Sequence, residues 1–294
     1  MTKSVAESLI EHKEFNAKDM AKRFTLEYFK QPKRGYGTNV VDVFAALKMS
    51  DFEKPFEPAK MQFSGTGSYG NGGAMRIAPI ALFSYHFPEE KLIELAQSCA
   101  QITHSHRNGF NGAILQCLAV HQALKTNVSH QDKSFDAKTF LSNLISKISK
   151  VEIESSNDKL DNNDQTPFTN KLKKMMEVIE SKDPHLSSNE AAVLFGNDIS
   201  ALKSVPSAIY SVIRGRNGLV NSNFEYESDN PFIRTLHFAI SLGGDTDTIA
   251  CMACSISGAL YGEESIPNIL QRHCEDIENV KKLADDLFQI QNKM

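Results

Sequence analysis

The chain has no tryptophan, and its 294 residues include only five cysteines. Lysine and arginine never run longer than a pair, and the net charge is −4. That balance leaves no electrostatic footprint for a nucleic-acid duplex or an anionic membrane surface. No apolar stretch approaches the roughly 20 residues of a membrane span. Residues 1–11 read as an amphipathic helix carrying acids, without the apolar centre of a secretion signal or the arginine-rich character of a transit peptide. Five cysteines cannot all pair. Cys99, Cys117, Cys251, Cys254 and Cys274 each sit in a helical apolar pattern, which implies reduced, buried thiols in an intracellular protein. Cys251-Met-Ala-Cys254 lies inside a helical run with no second Cys/His pair at finger spacing, which excludes a zinc finger. What remains, 41% apolar and 23% charged with 18 phenylalanines, is an ordinary globular balance.

Strand-like alternation is missing as well. About a dozen helical patterns, broken at Gly and Pro, make the class all-α. Val5, Leu9 and Ile10 mark the first, and Asn16 caps the second, which carries Met20, Phe24, Tyr28 and Phe29. Others follow at 40–47, after Pro88, over 113–124, around Leu144, at 172–179, behind a Ser187…Glu190 capping box, at 206–213, and in the tail near Ile269 and Leu287. Residues 154–166 are polar and acidic with almost nothing to bury, an insertion loop, and 215–230 is a second polar loop. With no dividing linker and no repeat, the expectation is one compact domain over 1–294.

Two stretches stand out. In Ser241-Leu-Gly-Gly-Asp-Thr-Asp-Thr-Ile249 an apolar helix ends at a Gly pair and another begins at once, with Gly262 as its stop. Asp245, Asp247 and Thr248 thus fall on one helical turn as hard oxygen donors, the kind that Mg²⁺ or Ca²⁺ prefers. N-capping and the helix dipole account for one acid there, not for two and a hydroxyl.

The second stretch is Phe63-Ser-Gly-Thr-Gly-Ser-Tyr-Gly-Asn-Gly-Gly-Ala-Met-Arg76, with a helix over Met75, Ile77, Ile80 and Leu82 expected after it. Glycine-dense backbone entering a helix presents N–H groups to anions such as phosphate. Ser68 and Asn71 add polar side chains, and Tyr69 could stack on a sugar or base. A surface linker is the alternative. No Gly-Lys-Ser/Thr follows, so this is not a Walker loop. His104 and His106 lie at a helix end beside a small glycine loop, Asn108-Gly-Phe-Asn-Gly112, either as dipole partners or at a ligand.

Gly67-Ser-Tyr-Gly-Asn-Gly-Gly-Ala-Met-Arg76 and Ser241-Leu-Gly-Gly-Asp-Thr-Asp-Thr-Ile-Ala250 together resemble the ADP-ribosylglycohydrolase family. So do Arg34-Gly-Tyr-Gly37, Thr103-His104, Asn111-Gly-Ala-Ile-Leu-Gln116 and Ser204-Val-Pro-Ser-Ala-Ile-Tyr210, and the likeness runs over nearly the whole chain. The resemblance implies an all-α, orthogonal multi-helix domain that hydrolyses the O-glycosidic bond of ADP-ribose linked to serine and of poly(ADP-ribose). It implies two Mg²⁺ ions, with Asp245, Asp247 and Thr248 as ligands and the two carboxylates carrying the catalysis. ADP-ribose would lie on Phe63, Thr66, Gly67, Ser68, Tyr69, Gly70, Asn71, Gly72 and His104, with Leu172 and Ile199 on its adenosine side. The implied partners are ADP-ribose, serine-ADP-ribosylated proteins and poly(ADP-ribose). The implied state is a monomer in nucleus and cytoplasm, with the mitochondrial matrix as a further compartment.

One departure bears on activity. The family carries, upstream, an acid/base carboxylate and a Thr-Asp-Asp triplet that completes the metal site, just before a helix resembling residues 2–12. This chain starts at Met1, after that point, so an N-terminally truncated form with a half-built metal site is expected. Asp161-Asn-Asn-Asp164, in a polar loop, is a poor substitute. Three readings stay open: an ADP-ribosylhydrolase, a non-catalytic ADP-ribose-binding module, or a Mg²⁺-dependent hydrolase of another nucleotide.

Overall fold

The computed structural model describes residues 1–126, 135–155, 164–182, 184–216 and 228–293. Among them helix is the only extended secondary structure, as the hydrophobic spacing requires. The helices are α1 (Thr2–His12), α2 (Ala17–Lys30), α3 (Thr38–Met49), α4 (Glu57–Lys60), α5 (Gly72–Met75) and α6 (Ala78–Phe83). Next come α7 (Glu89–Gln101), α8 (Arg107–Lys125), α9 (Ala137–Glu154), α10 (Pro167–Glu180) and α11 (Ser188–Phe195). The last are α12 (Val205–Arg216), α13 (Pro231–Ser241), α14 (Thr246–Tyr261), α15 (Asn268–His273) and α16 (Ile277–Gln291). None of the described helices is long and apolar enough to cross a membrane.

These elements group into two units, Met1–Cys117 with Cys274–Met294, and Leu118–His273. In the first, α1 packs on α2, α6 and α16, and α7 packs on α2, α5 and α6. Val5, Leu9, Met20, Phe24, Phe44 and Ile80 fill its core. In the second, α12 packs on α13, α14, α10 and α11. Every residue of α12 from Val205 to Gly215 is buried, which marks it as the central rod of that unit.

Local chemistry sets many of the ends. Asn16 accepts from the Asp19 amide at 3.0 Å and starts α2. Ser187 and Glu190 form the anticipated capping box on α11. Asn230 accepts from the amides of Phe232 and Ile233 and starts α13, with Pro231 in its first turn. α10 is capped from another helix: its own N-cap, Thr166, contributes no side-chain bond. Instead Glu152 of α9, wholly buried, accepts from the Phe168 and Thr169 amides at 2.9 Å each and from Thr169 Oγ1 at 2.6 Å.

Four details differ from the sequence reading. The single helix expected over 75–82 is two, α5 and α6, because Pro79 cannot donate to the carbonyl of Met75 and its ring excludes continuation. The glycine loop expected at 108–112 is the first turns of α8. Gly109 is there because a Cβ would run into the Ser68 carbonyl, so the residue serves close approach rather than turning. Gly215 and Arg216 extend α12, and Glu154 closes α9, so both polar loops start later than expected; residues 156–163 and 217–227 lie outside the described residues, as does Asp161. Finally, Cys99 and Cys117 are buried as expected, but Cys251 and Cys274 are exposed, and Cys274 follows α15 rather than lying in it; no cysteine forms a disulfide.

Replacing Glu152 with alanine leaves three buried donors of α10 unmatched. The expected loss is about 1–3 kcal/mol of stability, measured by urea denaturation. Unchanged stability would show that the cap is dispensable.

Candidate functional site

The first unit holds the glycine-rich stretch. Gln62–Gly65 is a 3₁₀ turn interrupted by two successive left-handed residues, Phe63 at φ 51°, ψ 49° and Ser64 at φ 57°, ψ 33°. Such conformations cost non-glycine residues on the order of 1–3 kcal/mol each. Several bonds hold the turn against that cost. Gly67 N donates to Gln62 O at 3.0 Å, Thr66 Oγ1 to Phe63 O at 3.0 Å, and the Gln62 side chain to Thr103 O at 2.7 Å. Gly67 itself has φ 76°, and a Cβ there would run into Ser105 and the His106 backbone. The result is a ledge of exposed rings: Phe63 is 43% and Tyr69 44% exposed, with centroids 5.6 Å apart. The Tyr69 ring stands edge-on to His106 at 5.9 Å. After the ledge, Gly70 N donates to Ser68 Oγ at 3.3 Å, and Asn71, buried, opens α5.

His104 packs beneath this loop. A Cβ on Gly72 would come within 2.9 Å of its ring, and one on Gly70 within 3.4 Å of Nε2. Its Nδ1 lies 2.7 Å from Thr103 Oγ1. Burial first, and the charge of Arg76 second, push its pKa down to about 3, so the ring is neutral at physiological pH. The structure therefore places Phe63, Thr66, Gly67, Ser68, Tyr69, Gly70, Asn71, Gly72 and His104 together in one unit.

The second unit holds the acid turn. Gly243 and Gly244, at φ 69° and 66°, reverse the chain between α13 and α14. Gly244 admits no Cβ because Asn197 O stands against it, and that carbonyl accepts from Asp245 N at 2.8 Å. Asn197 Nδ2 also donates to Leu242 O at 2.8 Å, so one asparagine braces both sides of the Gly pair. Asn197 is in turn set by α11, whose last carbonyls accept from Lys171 of α10 at 2.6 and 3.3 Å. Asp245 occupies the N-cap of α14 yet makes no side-chain cap bond to it. Thr248 Oγ1 donates to Asp245 Oδ1 at 3.1 Å, and Thr248 N to Asp247 Oδ1 at 2.9 Å. Asp247 is exposed, Asp245 half-buried and Thr248 buried.

These donors suit a hard divalent cation in kind and spacing. The Thr248 hydroxyl and an Asp245 oxygen stand side by side, joined by the 3.1 Å hydrogen bond. No group of three or more His, Cys, Asp or Glu able to hold a metal stands together among the described residues. Ile199, 68% exposed, sits two residues from Asn197 in a turn fixed by Asp198, which accepts from Ser200 N at 2.9 Å. Leu172 is wholly buried on α10, its side chain in the core of the second unit. Sequence reasoning gave no role to Arg76 or Thr103, which support His104, or to Asn197, which braces the acid turn. Arg76 closing an otherwise apolar and glycine-rich run was the one available signal.

The depressed His104 pKa sets a pH dependence. Below the ordinary value of 6.5 the unfolded chain takes up a proton that the folded ring refuses, so stability falls as pH drops toward about 3. We expect the melting temperature to fall between about pH 6.5 and 5, above most carboxylate titrations, and the slope to be shallower in His104→Gln. An identical slope in the variant would show that His104 titrates normally.

The sequence profile described as ADP-ribosylglycohydrolase matches residues 1–293. A protein of Gallus gallus named ADP-ribosylhydrolase ARH3 is 42% identical over 295 residues, covering 99% of this chain and 76% of the chicken protein. The Homo sapiens protein of the same name is 40% identical over 298 residues, covering all of this chain and 78% of the human one. Among solved structures, a chain titled "ADP-ribosylglycohydrolase-related protein complex" superposes with a TM-score of 0.65 at 20% identity, over 99% of this chain and 79% of that one, which supports the fold alone. With the aromatic–glycine loop in one unit and the Asp245–Asp247–Thr248 turn in the other, the chain belongs to the ADP-ribosylglycohydrolase family.

Proposed function

We propose that this chain hydrolyses the O-glycosidic bond that joins ADP-ribose to serine side chains, and the ribose–ribose bond of poly(ADP-ribose), with Mg²⁺ held by Asp245, Asp247 and Thr248. Hydrolysis of an ADP-ribose linkage follows from the family; the acceptor and the metal are this proposal's own. The observation that carries the metal assignment is the side chain of Asp245. It makes no side-chain bond to a first-turn amide of α14 and instead accepts from the Thr248 hydroxyl at 3.1 Å, two hard oxygens side by side. An acid placed only to serve the helix would bond its first amides.

In the reaction the bond from the anomeric carbon to the serine oxygen breaks, water supplies the new bond to that carbon, and a proton passes to the serine oxygen. The ring passes through an oxocarbenium-like state. Bound Mg²⁺ supplies Lewis acidity toward sugar hydroxyls and the leaving oxygen. The chain's own share is positional. Backbone amides of residues 66–72 and the side chains of Ser68 and Asn71 take the diphosphate, and the Phe63–Tyr69 ledge takes a flat ring or sugar face. Holding the diphosphate and a flat ring together on the loop lowers the entropy cost of aligning the ligand.

The donor count favours a second reading, in which the chain holds ADP-ribose without turning it over. Three oxygens on one turn leave most of a Mg²⁺ shell to water, and that ion sheds water reluctantly.

Free ADP-ribose released from a serine-ADP-ribosylated peptide, with and without EDTA, tests the proposal. The expected result is metal-dependent release that Asp247→Asn lowers about 100-fold or more while its melting temperature stays near wild type. Wild-type rates in that variant would remove the metal assignment. A rise in melting temperature with ADP-ribose but no release would establish the binding module. Protection by ATP but not by ADP-ribose would point to another nucleotide.

A further inference from the structure

Arg76 is 3% exposed, and no carboxylate pairs with it among the described residues. Its Nη1 donates to Gly72 O at 3.1 Å, and its Nη2 to Cys99 O at 2.9 Å and to Thr103 Oγ1 at 2.8 Å. A guanidinium can only donate, so the Thr103 oxygen accepts from it. The single proton on that hydroxyl is then left for His104 Nδ1, 2.7 Å away, and no other acceptor for it lies within reach among the described residues. An imidazole nitrogen that accepts carries no proton. In a neutral ring the proton must therefore sit on Nε2, the atom that faces the Gly70 and Gly72 backbone. His104 is nine-tenths buried, and its Nε2 has no hydrogen-bond partner among the described residues.

We propose that Arg76 is a positioning residue which, acting through Thr103, locks His104 as the Nε2–H tautomer, so that the ring offers a fixed neutral donor to a phosphate or hydroxyl oxygen of the ligand on residues 70–72. The ligand part of this inference rests on the ADP-ribose reading; the tautomer part does not. The relay has a chemical consequence. A free imidazole can present either a donor or an acceptor to a ligand, at little cost in switching. With Nδ1 already committed, acceptance at Nε2 would require breaking the Thr103 bond and leaving a buried hydroxyl unmatched. The loop thereby selects ligands that place an oxygen acceptor, rather than an N–H donor, against Gly70 and Gly72. A merely structural Arg76, tying the loop to the end of α7, would leave the tautomer unspecified.

Long-range proton–nitrogen correlation spectra of the histidine-labelled full chain read the tautomer directly, with His104→Gln assigning the signals. In the wild type without ligand we expect the Nε2–H pattern throughout about pH 5 to 8. Thr103→Val keeps the backbone bonds of Arg76 but removes the relay; the expected result is a mixed tautomer and ADP-ribose affinity about tenfold weaker, with Thr103→Ser restoring both. A wild-type Nδ1–H or protonated pattern overturns the proposal, as does a folded Thr103→Val with unchanged tautomer and affinity. Should Thr103→Val not fold, Arg76→Lys serves: it keeps the charge without the fork, and an unaltered tautomer in it refutes the relay. Wild type that shows the Nε2–H tautomer but binds no ADP-ribose refutes the ligand reading alone.

Discussion

Burying a guanidinium without a carboxylate is costly, and the geometry of the first unit is arranged around meeting that cost. Arg76 spends its donors on the carbonyls that end α7, on the first carbonyl of α5 and on the Thr103 hydroxyl. Its flat face lies over the Phe24 ring of α2 at 4.6 Å from the centroid. The carbonyls at a helix C-terminus carry partial negative charge and lack intrahelical partners, so a cation satisfies them better than a neutral donor would. One side chain thus ties α2, α5 and α7 to the histidine beneath the loop. Removing the guanidinium would take a donor from the Gly72 and Cys99 carbonyls and from the Thr103 hydroxyl; adding a carboxylate partner would draw it away from them.

The glycines of the loop answer to the same constraint in different ways. Gly67 needs both a left-handed backbone and the space of its missing Cβ. Gly72 needs only the space, because the His104 ring occupies it. Gly109, on a different element, lets α8 begin directly against the Ser68 carbonyl. Phe63 and Ser64, by contrast, adopt the left-handed conformation without glycine's freedom. Strain of that kind persists only where surrounding bonds over-determine it. Here the Gln62 side chain reaches both Ala59 O and Thr103 O, fixing the turn that exposes the Phe63 ring.

Helix content and most helix ends were legible in the sequence because they are local: Asn16, Ser187 with Glu190, Asn230 with Pro231, and Gly262 act within a turn or two of themselves. The family was legible because two motifs carried it. What escaped were features that depend on residues far apart in the chain. Asn108-Gly-Phe-Asn-Gly112 resembles a loop until Ser68, some forty positions earlier, is known to lie against it. The cap on α10 comes from Glu152, on the preceding helix α9, to which the sequence reading gave no role. Ile199 came from resemblance and the acid turn first from its spacing; Asn197 joins them, since its carbonyl accepts from Asp245 N. Leu172 is wholly buried on α10, and an apolar helix position says nothing about which neighbour covers it.

The two carboxylates of the acid turn are bonded differently. Capping predicts carboxylate oxygens on the first amides of the helix. Asp247 meets that description in part, accepting from Thr248 N at 2.9 Å. Asp245, in the capping position itself, does not. Its carboxylate engages the Thr248 hydroxyl, a group with one proton to give and lone pairs to offer. Both oxygens are hard donors of the class that a divalent cation would take. The bracing of Gly244 and Asp245 by Asn197 means that little backbone movement would be required. Asp245 is thus held from outside its own helix, by Asn197, and its carboxylate meets the first turn of α14 through the Thr248 hydroxyl rather than through an amide.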